Sequence, residues 1–488
     1  MKKLSFGIAL IVATLLVNGV LAQSAIQFSD VSAQTGINFL HTDGSTGEYF
    51  LIESMASGLS LLDFDEDGDL DIYFLNGAVI GDRAKGAPAS SNALYRNDGN
   101  FQFSDVTNSA VALDHSLSLG VVAADYDNDG FQDIYVNNYG PNRLFHNNGD
   151  GTYTEVTQFA GVANGNQVGG GTTFFDMDND GDLDLYVGNY IRFDPTQQHV
   201  HIHKGRPAYP SPLSFEPVPD NLFENLGNGT FRDVSELSGI GDWAGRSMGI
   251  VAFDMDNDED TDVFVANDTQ ENFLFQNDGR GVFQEVGLIS GIAFDFRGQA
   301  QASMGVDILD ANQDQLMDLY VTSFSEEFST LYINLGDGLF EDATLRMEGG
   351  LATFPHVTWG VCAADFDNDG FTDLVIGTGG LDDQHAARGG TSRKTGYRIQ
   401  NLLLRGMPDA KFEDLESRWE ILPVVNESTR GVAVGDLDLD GRVDIVCLNS
   451  RAKPTILRNT SQVTNLATRL RAIGVNHNRD GIGVKYLY

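Results

Sequence analysis

The chain has 488 residues, with 70 acidic against 30 basic side chains and a formal charge of −40. That balance excludes nucleic acid and anionic membrane as natural partners, because both need basic patches. Ordinary hydrophobic content (41%) and 55 glycines indicate a globular, turn-rich protein rather than a disordered acidic one.

Met1 to Ala22 reads as a secretory signal: Lys2 and Lys3 form its basic end, Leu4 to Val20 its apolar stretch, and Val20-Leu21-Ala22 a small-residue cleavage site. No later segment is apolar enough to span a bilayer. The mature chain is therefore expected to be secreted, periplasmic or on the cell surface, without a transmembrane segment. Soon after the cleavage site comes Phe28-Ser29-Asp30-Val31, a strand-like run with no preceding loop of its own.

From Asp63 onward the pattern Asp-x-Asp-x-Asp-Gly-x-x-Asp recurs, intact five times and degraded twice. The carboxylates of its positions one, three, five and nine are Asp63, Asp65, Asp67 and Asp71, then Asp125, Asp127, Asp129 and Asp133, then Asp176, Asp178, Asp180 and Asp184. The fourth copy keeps Asp254, Asp256, Asp258 and Asp262 but has Glu259 where the glycine stands elsewhere. The fifth carries Asp310, Asn312, Asp314 and Asp318, with Gln315 for glycine. Asp365, Asp367, Asp369 and Asp373 follow, then Asp436, Asp438, Asp440 and Asp444. Alternate carboxylates on a tight loop converge on one point, which is tolerable only around a hard cation. Ca²⁺ takes six to eight oxygens, and EF-hand loops supply them from the first, third and fifth positions. All of these residues are expected Ca²⁺ ligands. The Asp310 loop should be the weakest, having an amide for one carboxylate and no glycine to take φ > 0.

Five residues before each first Asp stands a glycine: Gly58, Gly120, Gly171, Gly249, Gly305, Gly360 and Gly431. The apolar run between glycine and Asp reads as one strand, and Ile/Leu-Tyr-Val after the ninth position as the next. A second hairpin follows in most repeats, as in Asn92-Ala93-Leu94-Tyr95-Arg96-Asn97 through Asp98-Gly99 into Phe101 to Val106. Two hairpins make a four-stranded unit that cannot bury both faces alone. Seven units predict an all-β fold, a seven-bladed β-propeller with calcium-binding hairpin loops. The seventh unit lacks its Phe-x-Asp-Val strand, so the copy at Phe28 should close the last blade.

Two stretches interrupt the period, Arg192 to Pro219 and Leu381 to Arg398, and both are expected to project from the ring surface. The first holds His199, His201 and His203, which could face a single transition-metal ion if the segment is extended. Gly245-Arg246-Ser247-Met248-Gly249 matches a nucleophile elbow, but that motif needs a strand-turn-helix context. Ser118, Ser303, Thr358 and Thr429 occupy the same register, so Ser247 reads as a repeat position and no catalytic residue is assigned. With only Cys362 and Cys447, both in strand-like runs, a disulfide framework is not the stabilising device.

On the loop motif, residues 28 to 460 resemble the FG-GAP-like (VCBS-type) repeat proteins, whose calcium loops are similar to those of the integrin α-subunit propeller. The tail from Leu470 through Asn478-Arg479-Asp480-Gly481 to Gly483 resembles the opening of the ASPIC/UnbV module found in acidic proteins of the cartilage acidic protein type. The implied organisation is a signal peptide over 1–22, a propeller over 23–460 and the start of a truncated ASPIC/UnbV-like module over 461–488. The resemblance implies an extracellular calcium-binding recognition or adhesion module for protein or glycan. The alternative is an exported hydrolase or lyase with its site on the insertion-bearing face, built from the three histidines with Arg388 and Arg393.

Overall fold

In the strand that follows each acidic loop, successive side chains point to opposite faces, and both faces are apolar. Ile72 and Phe74 pack with Leu437, Val446, Leu448 and Ile456 on one side, while Tyr73 and Leu75 pack with Ile134, Val136 and Phe145 on the other. Such a strand can only sit inside a sheet sandwiched between two others. The computed structural model describes residues 26–81, 90–197, 201–203, 205–381, 396–415 and 425–463, and in the tail 465, 467–468, 470, 472–474 and 478–483. Residues 1–22, the expected signal segment, lie outside the described residues.

Seven antiparallel sheets built on four strands follow one another along the chain, the fourth widened by the short strand Gln301–Ala302, which pairs with Asp268 and Gln270. Blade 1 comprises Leu59–Leu62, Asp71–Phe74, Ala93–Asn97 and Phe103–Asp105. Blade 2 comprises Leu117–Ala124, Asp133–Tyr139, Arg143–Asn147 and Tyr153–Glu155. Blades 3 to 6 repeat the plan, opening with Gly169–Phe175, Ser247–Phe253, Val306–Leu309 and Thr358–Ala364. Blade 7 has Thr429–Gly435, Asp444–Asn449 and Thr455–Asn459, and its fourth strand is Phe28–Asp30. Phe28 faces Asn459, Ser29 faces Arg458 and Asp30 faces Leu457. Val31 N extends the pairing by donating to Ile456 O at 3.0 Å. The N-terminal strand thus closes the last blade, and the seam has no open edge.

The first strands of the seven blades touch in a closed ring, each against the first strand of the next. The repeated glycines make this approach possible. A Cβ on Gly120 would stand 2.3 Å from Gly170 O, on Gly249 2.4 Å from Met304 O, and on Gly305 2.3 Å from Trp359 O. Between adjacent blades lie seven apolar clusters, so each interface is a small core of its own.

Antiparallel pairing puts the acidic loops on one face of the ring and the two insertions on the other. The first insertion does not project as its polar composition suggests. It folds back: Ile191 and Tyr209 are buried with Phe50, Leu51, Ile52 and Leu117, and Phe193, Phe215 and Met248 pack against them. Too much aromatic surface is carried by this segment to remain in water. Leu381, at the start of the second insertion, joins the same cluster, and residues 382–395 lie outside the described residues.

Candidate functional site

All seven acidic loops share one backbone. Position six has φ of 93° in Gly68, 102° in Gly130, 94° in Gly181, 92° in Gly370 and 83° in Gly441. Glu259 and Gln315 hold the same left-handed conformation, at 73° and 72°. The two degraded loops therefore keep their shape, at a strain of about 1–3 kcal/mol for each non-glycine residue. Position four is left-handed throughout as well, at Glu66, Asn128, Asn179, Asn257, Gln313, Asn368 and Leu439.

Three of the four repeated carboxylates have backbone donors. At position one, Asp125 accepts from Asp129 N at 3.0 Å and Gly130 N at 2.8 Å, and the same pair recurs on Asp176, Asp365 and Asp436. At position five, Asp129 accepts from Phe131 N at 3.0 Å. At position nine, Asp133 accepts from Tyr126 N at 3.2 Å and Asn147 N at 2.7 Å. This ninth carboxylate is buried in every loop and ties the loop to the third strand of its blade. Burial pushes it up to about 8 in Asp71, Asp184 and Asp373 and to about 7 in Asp133, Asp262, Asp318 and Asp444. A neighbouring cation would restore the ionised form.

Position three differs. In Asp65, Asp127, Asp178, Asp256 and Asp438 the Oδ1 atom is buried and meets no hydrogen-bond donor. Buried polar atoms normally find a partner, and one orphaned oxygen recurs at the same position in five loops, where a cation could supply that partner. Oxygens of Asp63, Asp65 and Asp71 lie within 4.8 Å of one another, as do those of Asp125, Asp127 and Asp133, of Asp176, Asp178 and Asp184, and of Asp254, Asp256 and Asp262. Such an all-oxygen set fits a hard divalent ion, with positions one, three and nine converging.

One repeated residue has a role that its position in the sequence does not announce. The asparagine ending the third strand donates Nδ2 to the position-two carbonyl of the preceding blade's loop. Asn147 reaches Phe64 O, Asn225 Tyr126 O, Asn277 Met177 O, Asn334 Met255 O and Asn459 Phe366 O, each at 2.8 Å, and Asn97 reaches Leu437 O at 2.9 Å. Six of the seven loops are thereby stitched to the next blade. Blade 6 carries Gly406 at this place, where a Cβ would stand 2.3 Å from Thr372 O.

The described part of the tail docks beside the loop of blade 2. Asp480 Oδ2 accepts from Asp125 N at 2.9 Å, and Arg479 N donates to Asn128 Oδ1 at 2.9 Å. In the same blade His146 Nδ1 lies 3.2 Å from both Asp127 Oδ2 and Asp133 Oδ1. Asp133, then the charges of Asp127 and Asp129, raise the imidazole to about 9.

On the opposite face a cavity of about 340 Å³ lies beneath the folded insertion, lined by Tyr190, Tyr209, Met248, Met304, Phe324 and Trp359 with Asp268, Glu327 and His201. Tyr190 Oη donates to Asp268 Oδ2 at 2.6 Å, and Ala302 N donates to Glu327 at 2.9 Å. Burial pushes the Asp268 carboxyl up to about 6. Arg430 stacks 4.0 Å over Trp359 and donates to Ser54 O, Ser428 Oγ and Gly380 O.

Of the three histidines considered for a transition metal, His201 is exposed on a short strand paired with Arg206–Ala208, and His199 lies outside the described residues. Arg388 and Arg393 lie outside them too. Ser247 is the first residue of an inner strand, buried, with Oγ donating to Asp220 at 2.8 Å. A strand, not a helix, follows it, so the elbow context is missing. Among the described residues no helix is long and apolar enough to cross a membrane.

The FG-GAP-like repeat pattern matches residues 63–136, 125–187, 214–265, 254–321 and 310–376, together more than half of the chain. Cartilage acidic protein 1 of Mus musculus is 24% identical over 433 residues, covering 84% of this chain and 60% of its own length. The Homo sapiens protein of that name is 24% identical over 414 residues, covering 80% and 55%. The chain thus spans less than two thirds of these relatives. Among solved structures, the BP39L lectin from Burkholderia pseudomallei superposes with a TM-score of 0.49 at 11% identity, over 84% of this chain and 97% of that one. An Agrocybe aegerita lectin described as recognising non-reducing terminal N-acetylglucosamine gives 0.43 at 17% identity, over 74% and 81%. The repeated acidic hairpin, the seven blades built on it and the matched span agree: this chain belongs to the FG-GAP-like repeat family, among the relatives of the cartilage acidic proteins.

Proposed function

We propose that this protein is an exported, calcium-loaded β-propeller that acts as an extracellular recognition module for a protein or glycan. Its metal ligands are the acidic side chains of loop positions one, three, five and nine, with Asn312 at position three of the fifth loop. The observation that carries the calcium reading is the buried, donor-free Oδ1 of position three in five loops. A hard divalent ion there would satisfy that oxygen and relieve repulsion among the clustered carboxylates, and binding to the native state alone would stabilise the ring by mass action.

The recognition surface is the insertion-bearing face. Its cavity combines aromatic walls with a few convergent polar groups, the usual make-up of a ligand site. Calcium on the far face would act as scaffold rather than as a direct contact to the partner. The tail turn carrying Arg479 and Asp480, which lies against the loop of blade 2, would belong to an ASPIC/UnbV-like module. Kinship with proteins named for cartilage supports the extracellular setting.

Calcium titration by calorimetry, with bound metal counted after dialysis, tests the first half; a stoichiometry of two or fewer would sink it. The second half is tested by screening the calcium-loaded protein against glycans and extracellular proteins, then repeating any hit with Tyr209→Ala and Trp359→Ala. Binding untouched by both changes would move the partner away from this face.

A further inference from the structure

Beyond the substitutions within the motif, the seven loops differ in one side chain that does not belong to it. It is the residue immediately before the stitching position on the third strand: Arg96, His146, Glu224, Gln276, Ile333, Arg405 and Arg458 in blades 1 to 7. The pleat turns this residue toward the carboxylates of its own loop. In blade 4, Gln276 Nε2 donates to Asp256 Oδ2 at 2.8 Å.

In blades 6 and 7 that side chain is itself a cation placed among the carboxylates. Arg405 Nε donates to Asp367 Oδ2 at 2.9 Å, and its Nη2 to Asp369 Oδ2 at 2.5 Å. The Arg405 side chain is only 8% exposed, and that of Asp367 0%. Arg458 Nη2 lies 2.7 Å from Asp438 Oδ2 and 3.3 Å from Asp440 Oδ2. Arg442, within the loop itself, adds a second guanidinium on Asp440.

Blade 1 shows that an arginine at this register is not sufficient. Arg96 turns away, with Nε donating to Asp98 Oδ1 at 2.8 Å, and its side chain is 42% exposed. The difference lies two residues on: Asp98 in blade 1, but Met407 in blade 6 and Thr460 in blade 7. An acid at that place diverts the arginine along the strand, and without it the guanidinium falls into the loop.

We propose that this third-strand residue decides whether a loop takes a metal ion, and that in blades 6 and 7 Arg405 and Arg458 stand in for part of the calcium charge. The proposal rests on the calcium reading above. A guanidinium on the position-three and position-five carboxylates opposes a dication by direct repulsion and uses oxygens that the ion needs. Two intact sequence motifs are thus the weakest sites, while the degraded loops of blades 4 and 5 have no arginine at this register.

The test counts calcium on the full chain by calorimetry and equilibrium dialysis, in the wild type, Arg405→Gln and Arg458→Gln. Glutamine is the residue that blade 4 already carries. Each substitution is expected to tighten one site at least about ten-fold and so add one ion at fixed free calcium. Asp98→Ala, at an exposed pair, should do the reverse: Arg96 is released into the blade 1 loop and one ion is lost. It also serves if an arginine variant fails to fold. Unchanged titrations in the arginine variants, or in Asp98→Ala, would overturn the proposal. Absence of calcium from wild type and variants alike would instead remove the calcium reading, and this inference with it.

Discussion

Replacing Asn225 by alanine isolates the contribution of one inter-blade stitch. Asn225 is 3% exposed; its Nδ2 donates to Tyr126 O at 2.8 Å and Leu183 O at 3.0 Å, and its Oδ1 accepts from Gly227 N at 3.1 Å. Alanine leaves two carbonyls and one N–H without that partner. A buried group stripped of its partner costs about 1–3 kcal/mol, and partial relaxation brings the expected total to roughly 3–5 kcal/mol. For a ring of roughly 430 residues that unfolds as one unit, an unfolding entropy near 2 cal/mol/K per residue converts this to a fall in Tm of about 3–5 °C. Scanning calorimetry at fixed calcium would measure it, with Asn148→Ala as control, since Asn148 makes only exposed bonds to Thr152 and Thr154. Asn225→Asp should lower Tm further, because a carboxylate would face two carbonyl oxygens. A shift equal to that of the Asn148 control would refute the idea that these asparagines hold the blades together.

Chelation should lower Tm, and Asp127→Ala should lower it modestly through blade 2 alone; identical melting curves with and without chelator would count against calcium as a folding ligand. Deleting residues 26–33 removes the fourth strand of blade 7 and should destabilise the whole ring or drive association through the exposed edge, as seen by calorimetry and size-exclusion chromatography. Gly305→Ala should be strongly destabilising, because its Cβ would meet Trp359 O at 2.3 Å, whereas Gly370→Ala meets no neighbouring atom and is opposed only by its φ of 92°. Asp220 is fully buried with its carboxyl pushed up to about 7, its donors being Asn189 N, Ser247 Oγ and Tyr186 Oη. A raised carboxyl penalises the folded state progressively as pH climbs from about 4 to 7, so Asp220→Asn should gain stability relative to wild type over that window. A parallel pair of stability–pH curves would contradict this.

The repeat itself was legible because its determinants are local. A loop of alternating carboxylates closed at position nine, a glycine five residues upstream and alternating apolar strands are each written within about a dozen residues, and seven copies amplify the signal. Closure through Phe28 was also readable, since a missing strand in one unit and a spare strand elsewhere complement each other whatever the exact geometry. Position nine was legible as an acid but not as a fastener: its two backbone donors include one from the third strand, some fourteen residues away in blade 2. The expected projection of the first insertion failed because Tyr209 and Phe193 find apolar partners at Phe50 and Leu117, far apart in sequence.

By itself, then, the sequence determined the period, the strand order within a blade, the number of blades and the residues that crowd each acidic loop, all consequences of short-range spacing and side-chain alternation. Only the tertiary structure decided why each repeat glycine is a glycine, which asparagine reaches a neighbouring blade, and what covers the ring opposite the loops. It also decided that Arg405 and Arg458 enter their loops while Arg96 does not. Those outcomes depend on distances between strands that the chain brings together only when the ring closes, and such distances leave no periodic trace for a reader of residues in order.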